Sequence, residues 1–163
     1  MVGEDGRAGP VRTVAWTRPT LPFAVVGAVC VVAGGLVAAV TAHTPSEAAA
    51  WSAAYLVLVA GVAQIALGVG QAWLAPQPPS DRRVAVQFAG WNIGNAAVLV
   101  GTLLGIVRVV DVGGVLLVFS LALFALGVRG ARRDWPLWAF RAIVVILLVS
   151  IPIGSVLART HPG

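Results

Sequence analysis

The apolar residues of this chain are gathered into stretches of about 18 residues or more, the length a helix needs to cross roughly 30 Å of hydrocarbon at 1.5 Å per residue. Length therefore limits the number of helices rather than the size of a water-excluding core. Composition agrees: 59% of the 163 residues are apolar, 10% are charged and the mean hydropathy is +0.94, far from soluble values. The expected fold class is all-α, a polytopic transmembrane bundle of about five spans.

Residues 1–20 carry Gly3, Gly6, Gly9, Pro10 and Pro19 beside Arg7, Arg12 and Arg18, a composition that predicts a flexible tail. The first span is expected over 21–42. Its basic flank and its Val40-Thr41-Ala42 ending resemble a secretory signal peptide, but the run is longer than an ordinary signal core, so it is expected to remain as a span. Ser46 is placed to cap a second helix over 48–75, which Pro76, Pro78 and Pro79 stop. Ser80 or Asp81 caps the third, over 83–107. The next break is weaker, and it is placed at Arg108 to Gly114, where Gly113-Gly114 suits either a turn or a helix. The fourth helix is then expected over 112–128 and the fifth over 135–157, kinked at Pro152, leaving 159–163 as a short tail.

Arginine gives a separate test, because it accumulates in cytoplasmic loops. All eleven positive charges are arginines. With the N-terminus cytoplasmic and the C-terminus outside, Arg7, Arg12, Arg18, Arg82, Arg83, Arg129, Arg132 and Arg133 fall inside, Arg141 snorkels inward, and Arg108 and Arg159 fall outside. Trp16, Trp73, Trp135 and Trp138 then lie at the inner interface and Trp51 at the outer one. The arginines form no basic stripe, so no nucleic-acid partner is expected despite the net charge of +5. The exclusive use of arginine, with abundant Ala, Val, Gly and Leu, suits a GC-rich bacterial genome and hence a bacterial cytoplasmic (inner) membrane. The single cysteine, Cys30, allows no intramolecular disulfide.

Candidate site residues are the amides within the spans, since a polar group in hydrocarbon is costly without a partner. Gln64 and Gln71 share a face of the second helix; Gln87, Trp91 and Asn95 recur every four residues on the third, with Asn92 beside them. In an antiparallel hairpin of these two helices, Gln64 comes level with Asn95 and Gln71 with Gln87. One reading makes the amides cross-helix glue that fixes the hairpin's register. The other makes them the lining of a pocket or path for a neutral solute or a quinone headgroup, with Trp91 as its wall.

Gly90, Gly94, Gly101 and Gly105 form two small-xxx-small patterns that suit close helix approach, which makes the third helix the expected centre. Gly61 and Gly68 offer the second helix a matching face. The fourth and fifth helices are nearly free of polar atoms, with Ser120 and Ser150 able to bond back to their own backbone, and they are expected to face lipid or a partner subunit.

His43, Glu47 and His161 fall on the outer side as candidate ligands for a metal or haem, although no histidine sits within a span as a haem ligand ordinarily does. No cofactor is predicted. No span contains Asp or Glu, and no phosphate loop, zinc-protease pattern or nucleophile elbow occurs. The expectation is a non-enzymatic accessory or structural subunit of a membrane complex, with the lipid bilayer and a membrane-protein partner or a second copy as its contacts. The alternatives are a permeation or quinone-binding protein built on the amides, and a haem or metal redox protein.

Overall fold

A computed structural model of the chain describes residues 20–160, with side chains through residue 153. It contains five helices long and apolar enough to cross a membrane, so the protein is a multi-span helical membrane protein. The helices are α1 (Leu21–Thr41), α2 (Glu47–Leu74), α3 (Asp81–Leu103), α4 (Val107–Gly127) and α5 (Trp135–Thr160). The expected tail over residues 1–19, and the end of the chain that carries His161, lie outside the described residues.

The helix starts follow local chemistry. Ser46 Oγ accepts from the Ala49 amide at 3.2 Å and Ser80 Oγ from the Arg83 amide at 3.4 Å, each satisfying a donor that the first turn leaves open. α2 ends where Ala75 turns extended ahead of Pro76. α5 runs through Pro152 to Thr160, three residues past its expected end.

The break between α3 and α4 lies elsewhere than expected. α3 stops at Leu103 and α4 begins at Val107, so Arg108 and Asp111 belong to the first turns of a helix. Gly105 makes the turn, with φ +66°, a left-handed conformation that costs other L-residues roughly 1–2 kcal/mol. The Gly105 amide donates to Thr102 O at 3.3 Å and the Ile106 amide to Gly101 O at 2.8 Å, the paired bonds of a Schellman ending. Gly113 and Gly114, which the sequence left open between turn and helix, are buried inside α4. Gly105→Ala is expected to lower stability by about 1 kcal/mol, whereas Gly35→Ala, at a helical position where an added Cβ meets nothing within 4 Å, should be neutral or slightly stabilising. SDS titration in mixed micelles checks both.

Two antiparallel hairpins make up most of the bundle: α1 packs along α2, and α3 along α4. Each is built on reciprocal glycine contacts. A Cβ on Gly27 would sit 2.9 Å from Gly61 O, and one on Gly61 would sit 3.0 Å from Gly27 O. Gly94 and Gly113 face each other in the same way, at 3.1 and 2.8 Å from the opposite carbonyls. Lipid is as apolar as leucine, so such pairs are held by dispersion and Cα–H···O contacts, which require bare backbone. The expected hairpin of the second and third helices is thus replaced by two others, and Gly61 and Gly68 meet Val31 and Phe23 of α1 rather than α3.

The centre is correspondingly different. α4 buries Gly113, Gly114, Leu117, Ser120, Leu121 and Phe124, so it shares the interior with α3 instead of facing lipid. Phe23, Phe88, Trp91 and Phe124 tie α1, α3 and α4 together through edge-to-face contacts with centroids 5.4 to 6.4 Å apart. α1 and α5 lie outside, exposing Val25, Val29, Val32 and Leu36 on one and Val145, Ile146 and Val149 on the other.

The middle of α2 departs from a regular helix in a way that nothing in the sequence signals. Leu56–Ala63 is a π-helix of eight residues leading directly into Gln64. With i→i+5 bonding each turn takes in an extra residue, which rotates everything downstream relative to a regular helix. Gly61 lies within this stretch, against α1.

Candidate functional site

Below the π segment, α2 turns Ala63, Gln64, Leu67, Gly68 and Gln71 into the protein. α3 contributes Gln87, Trp91 and Asn95, and α4 contributes Ser120. The i, i+3, i+4, i+7 spacing of the α2 residues is that of one buried face, so two glutamines enter the interior with the leucine between them. Gln87 is completely buried, and Gln64 and Trp91 are each 1% exposed.

The expected amide pairs, Gln64 with Asn95 and Gln71 with Gln87, are not formed. Asn95 instead accepts from the Tyr55 hydroxyl at 2.8 Å and donates from Nδ2 to Trp91 O at 2.8 Å. Asn92 donates to Phe88 O at 2.8 Å and is only half-buried. The Tyr55–Asn95 bond is therefore a polar link between α2 and α3. Sequence reasoning did not use Tyr55, although a tyrosine hydroxyl within a span has to find a partner. Tyr55→Phe is expected to loosen α2 from α3 by about 0.6 to 1.7 kcal/mol, the range for such bonds in membranes, as read by SDS titration in mixed micelles.

Among the described residues, seven buried polar atoms have no hydrogen-bond partner: both amide atoms of Gln64 and of Gln87, Gln71 Nε2, Trp91 Nε1 and Ser120 Oγ. Ser120 does not bond back to its helix as expected; its hydroxyl lies against Gly90, where an added Cβ would come within 2.5 Å of Oγ. Ser150 does bond back, to Ile146 O at 2.7 Å. Buried polar atoms are nearly always paired, and in hydrocarbon the cost of leaving one open is of order several kcal/mol. Four obligatory donors, two amide oxygens and a hydroxyl from three helices are therefore left open, with no charged group among them. That set matches an uncharged molecule that both accepts and donates hydrogen bonds.

The glycines predicted for packing divide. Gly90 meets Ser120, Gly94 meets Leu117 and Gly113, and Gly101 meets Val110, all on α4, whereas Gly105 serves the turn and packs on nothing. Near one end of the bundle Thr20, Phe23, Gly68, Gln71 and Val84 line a pocket of 10 Å³, the lower limit for a single water. His43 and Glu47 are exposed at the α1–α2 connection, and no group of three His, Cys, Asp or Glu side chains that suits a metal ion occurs among the described residues. No protein-family model matches the chain, and no curated protein or solved structure matches it.

Proposed function

We propose that this chain is a non-enzymatic protein of the bacterial cytoplasmic membrane, N-terminus inside and C-terminus outside, that takes up water-sized, uncharged molecules between α2, α3 and α4. The seven unpartnered atoms of Gln64, Gln71, Gln87, Trp91 and Ser120 carry this reading. No charged side chain is buried among the described residues to hold an ion. The close ring contacts of Phe23, Phe88, Trp91 and Phe124 favour a guest of about the size of water over a quinone headgroup. Orientation rests on Arg82 and Arg83 in the first turn of α3 and on Arg129, Arg132 and Arg133 in the α4–α5 connection, at one end of the bundle.

Water itself is the probe. In water-edited solid-state NMR of the protein in lipid bilayers, the Gln87 side-chain amide and the Trp91 indole N–H are expected to show magnetisation transfer from water. In the Gln64→Leu, Gln87→Leu double variant the Trp91 signal loses it while the helical spectrum is kept. Interior amides that show no transfer in the wild-type protein would sink the proposal.

A second reading, an accessory subunit of a membrane complex or a homo-oligomer, draws on the outer helices. α1 and α5 each present an apolar face of branched side chains to their surroundings, a surface that fits a neighbouring membrane helix as well as lipid. Its test is the mass of the particle in mild detergent together with capture from native membranes. A monomer that retains no membrane-protein partner speaks against it.

A further inference from the structure

We propose that the arginine-rich end of the bundle is a binding surface for anionic phospholipid headgroups. The α2–α3 and α4–α5 connections are far apart in sequence, but the fold sets them side by side. Gln71 near the end of α2 abuts Gly127 at the end of α4, and a Cβ on Gly130 would lie 3.7 Å from Pro76 Cγ. Arg82 and Arg83 are thereby gathered at the same end as Arg129, Arg132 and Arg133, all five exposed. None of the five is held in an ion pair among the described residues.

The acidic residues nearby do not neutralise this end. Asp81 opens α3 and Asp134 directly precedes α5, positions where a carboxylate complements the helix dipole. Arg141 lies nearly two turns into α5, with its guanidinium 5.4 Å from the centre of the Trp138 ring. Trp73, Trp135 and Trp138 are all largely exposed around the same end, the placement of side chains that sit among headgroups. Among the residues whose side chains are described, six arginines and two aspartates lie at this end, and Arg108, Glu47 and Asp111 at the other. Guanidinium groups pair bidentately with phosphate, and an exposed arginine near an anionic surface favours association by about fivefold.

This surface is separate from the interior glutamines, so the two proposals stand or fall independently. The full chain is reconstituted in phosphatidylcholine bilayers, and the motionally restricted fraction of spin-labelled phosphatidylglycerol is compared with that of spin-labelled phosphatidylcholine. A preference for phosphatidylglycerol of about fivefold or more is expected, falling towards unity in the Arg82→Gln, Arg83→Gln, Arg132→Gln, Arg133→Gln variant and in the wild-type protein at high salt. Arg108→Gln should leave it unchanged. Equal association of the two lipids, a preference that survives high salt, or one lost equally in Arg108→Gln overturns the proposal. Where the fourfold variant does not fold, the salt series on the wild-type chain and the Arg108→Gln comparison decide.

Discussion

Gly113→Val is expected to force α3 away from α4 and to lower the stability of the bundle by about 3 kcal/mol or more. A Cβ at this position would lie 2.8 Å from Gly94 O and 2.9 Å from the Val98 backbone nitrogen. Both are backbone atoms of a helix, so no rotamer change relieves the clash, and valine adds two methyl groups beyond the Cβ. Separating the helices also removes the reciprocal contact at Gly94 and loosens the seat of Leu117. In lipid these contacts are the main attraction between the two helices, because no water is released when they associate. Unfolding by SDS titration in mixed micelles gives the magnitude, with Gly35→Ala as the control for substitution at a helical glycine. A Gly113→Val protein as stable as the control would mean that α3 and α4 are not packed at this distance.

Trp91→Ala is expected to lower stability by about 3 kcal/mol, the low end of the range for burying and then deleting a large aromatic. The low end applies because the surroundings are lipid, so the cost comes from the cavity and the lost dispersion contacts rather than from transfer out of water. Trp91 is 1% exposed and meets Phe124 edge to face at 6.4 Å; Phe124 in turn holds Phe23 of α1 at 5.4 Å. Removing the indole therefore loosens three helices together. Trp91→Phe separates the two duties of this residue: it keeps most of the packing and deletes the unpartnered N–H. Stability near wild type in Trp91→Phe, with reduced water contact at Gln87, is the result that fits an interior site. An equal loss of stability in both variants would show that the N–H is already paired within the protein.

Much of the architecture was legible because lipid makes composition speak directly. Runs of apolar residues long enough to span marked all five helices, and Ser46, Ser80 and Pro76 marked ends that the structure keeps within a few residues. The α3–α4 turn was misplaced because glycine has two uses that a single sequence does not distinguish. Gly105 supplies a left-handed turn, whereas Gly113 and Gly114 supply a smooth helix surface. Of the amides singled out, Gln64, Gln71, Gln87 and Asn95 are buried and Asn92 is half-buried, but their bonding was not legible. Level pairing assumed uniform helices, and the π stretch over Leu56–Ala63 rotates the rest of α2, Gln64 and Gln71 included.

By itself, then, the sequence determined that the chain is a bundle of membrane-crossing helices, because that follows from the cost of placing polar groups in hydrocarbon. The tertiary structure decided which helices are partners and which polar atoms are left open. Between helices immersed in lipid, hydrophobicity favours no neighbour over another, so the choice falls to backbone approach at Gly27 with Gly61 and Gly94 with Gly113, a match of shape that exists only once the helices are in contact.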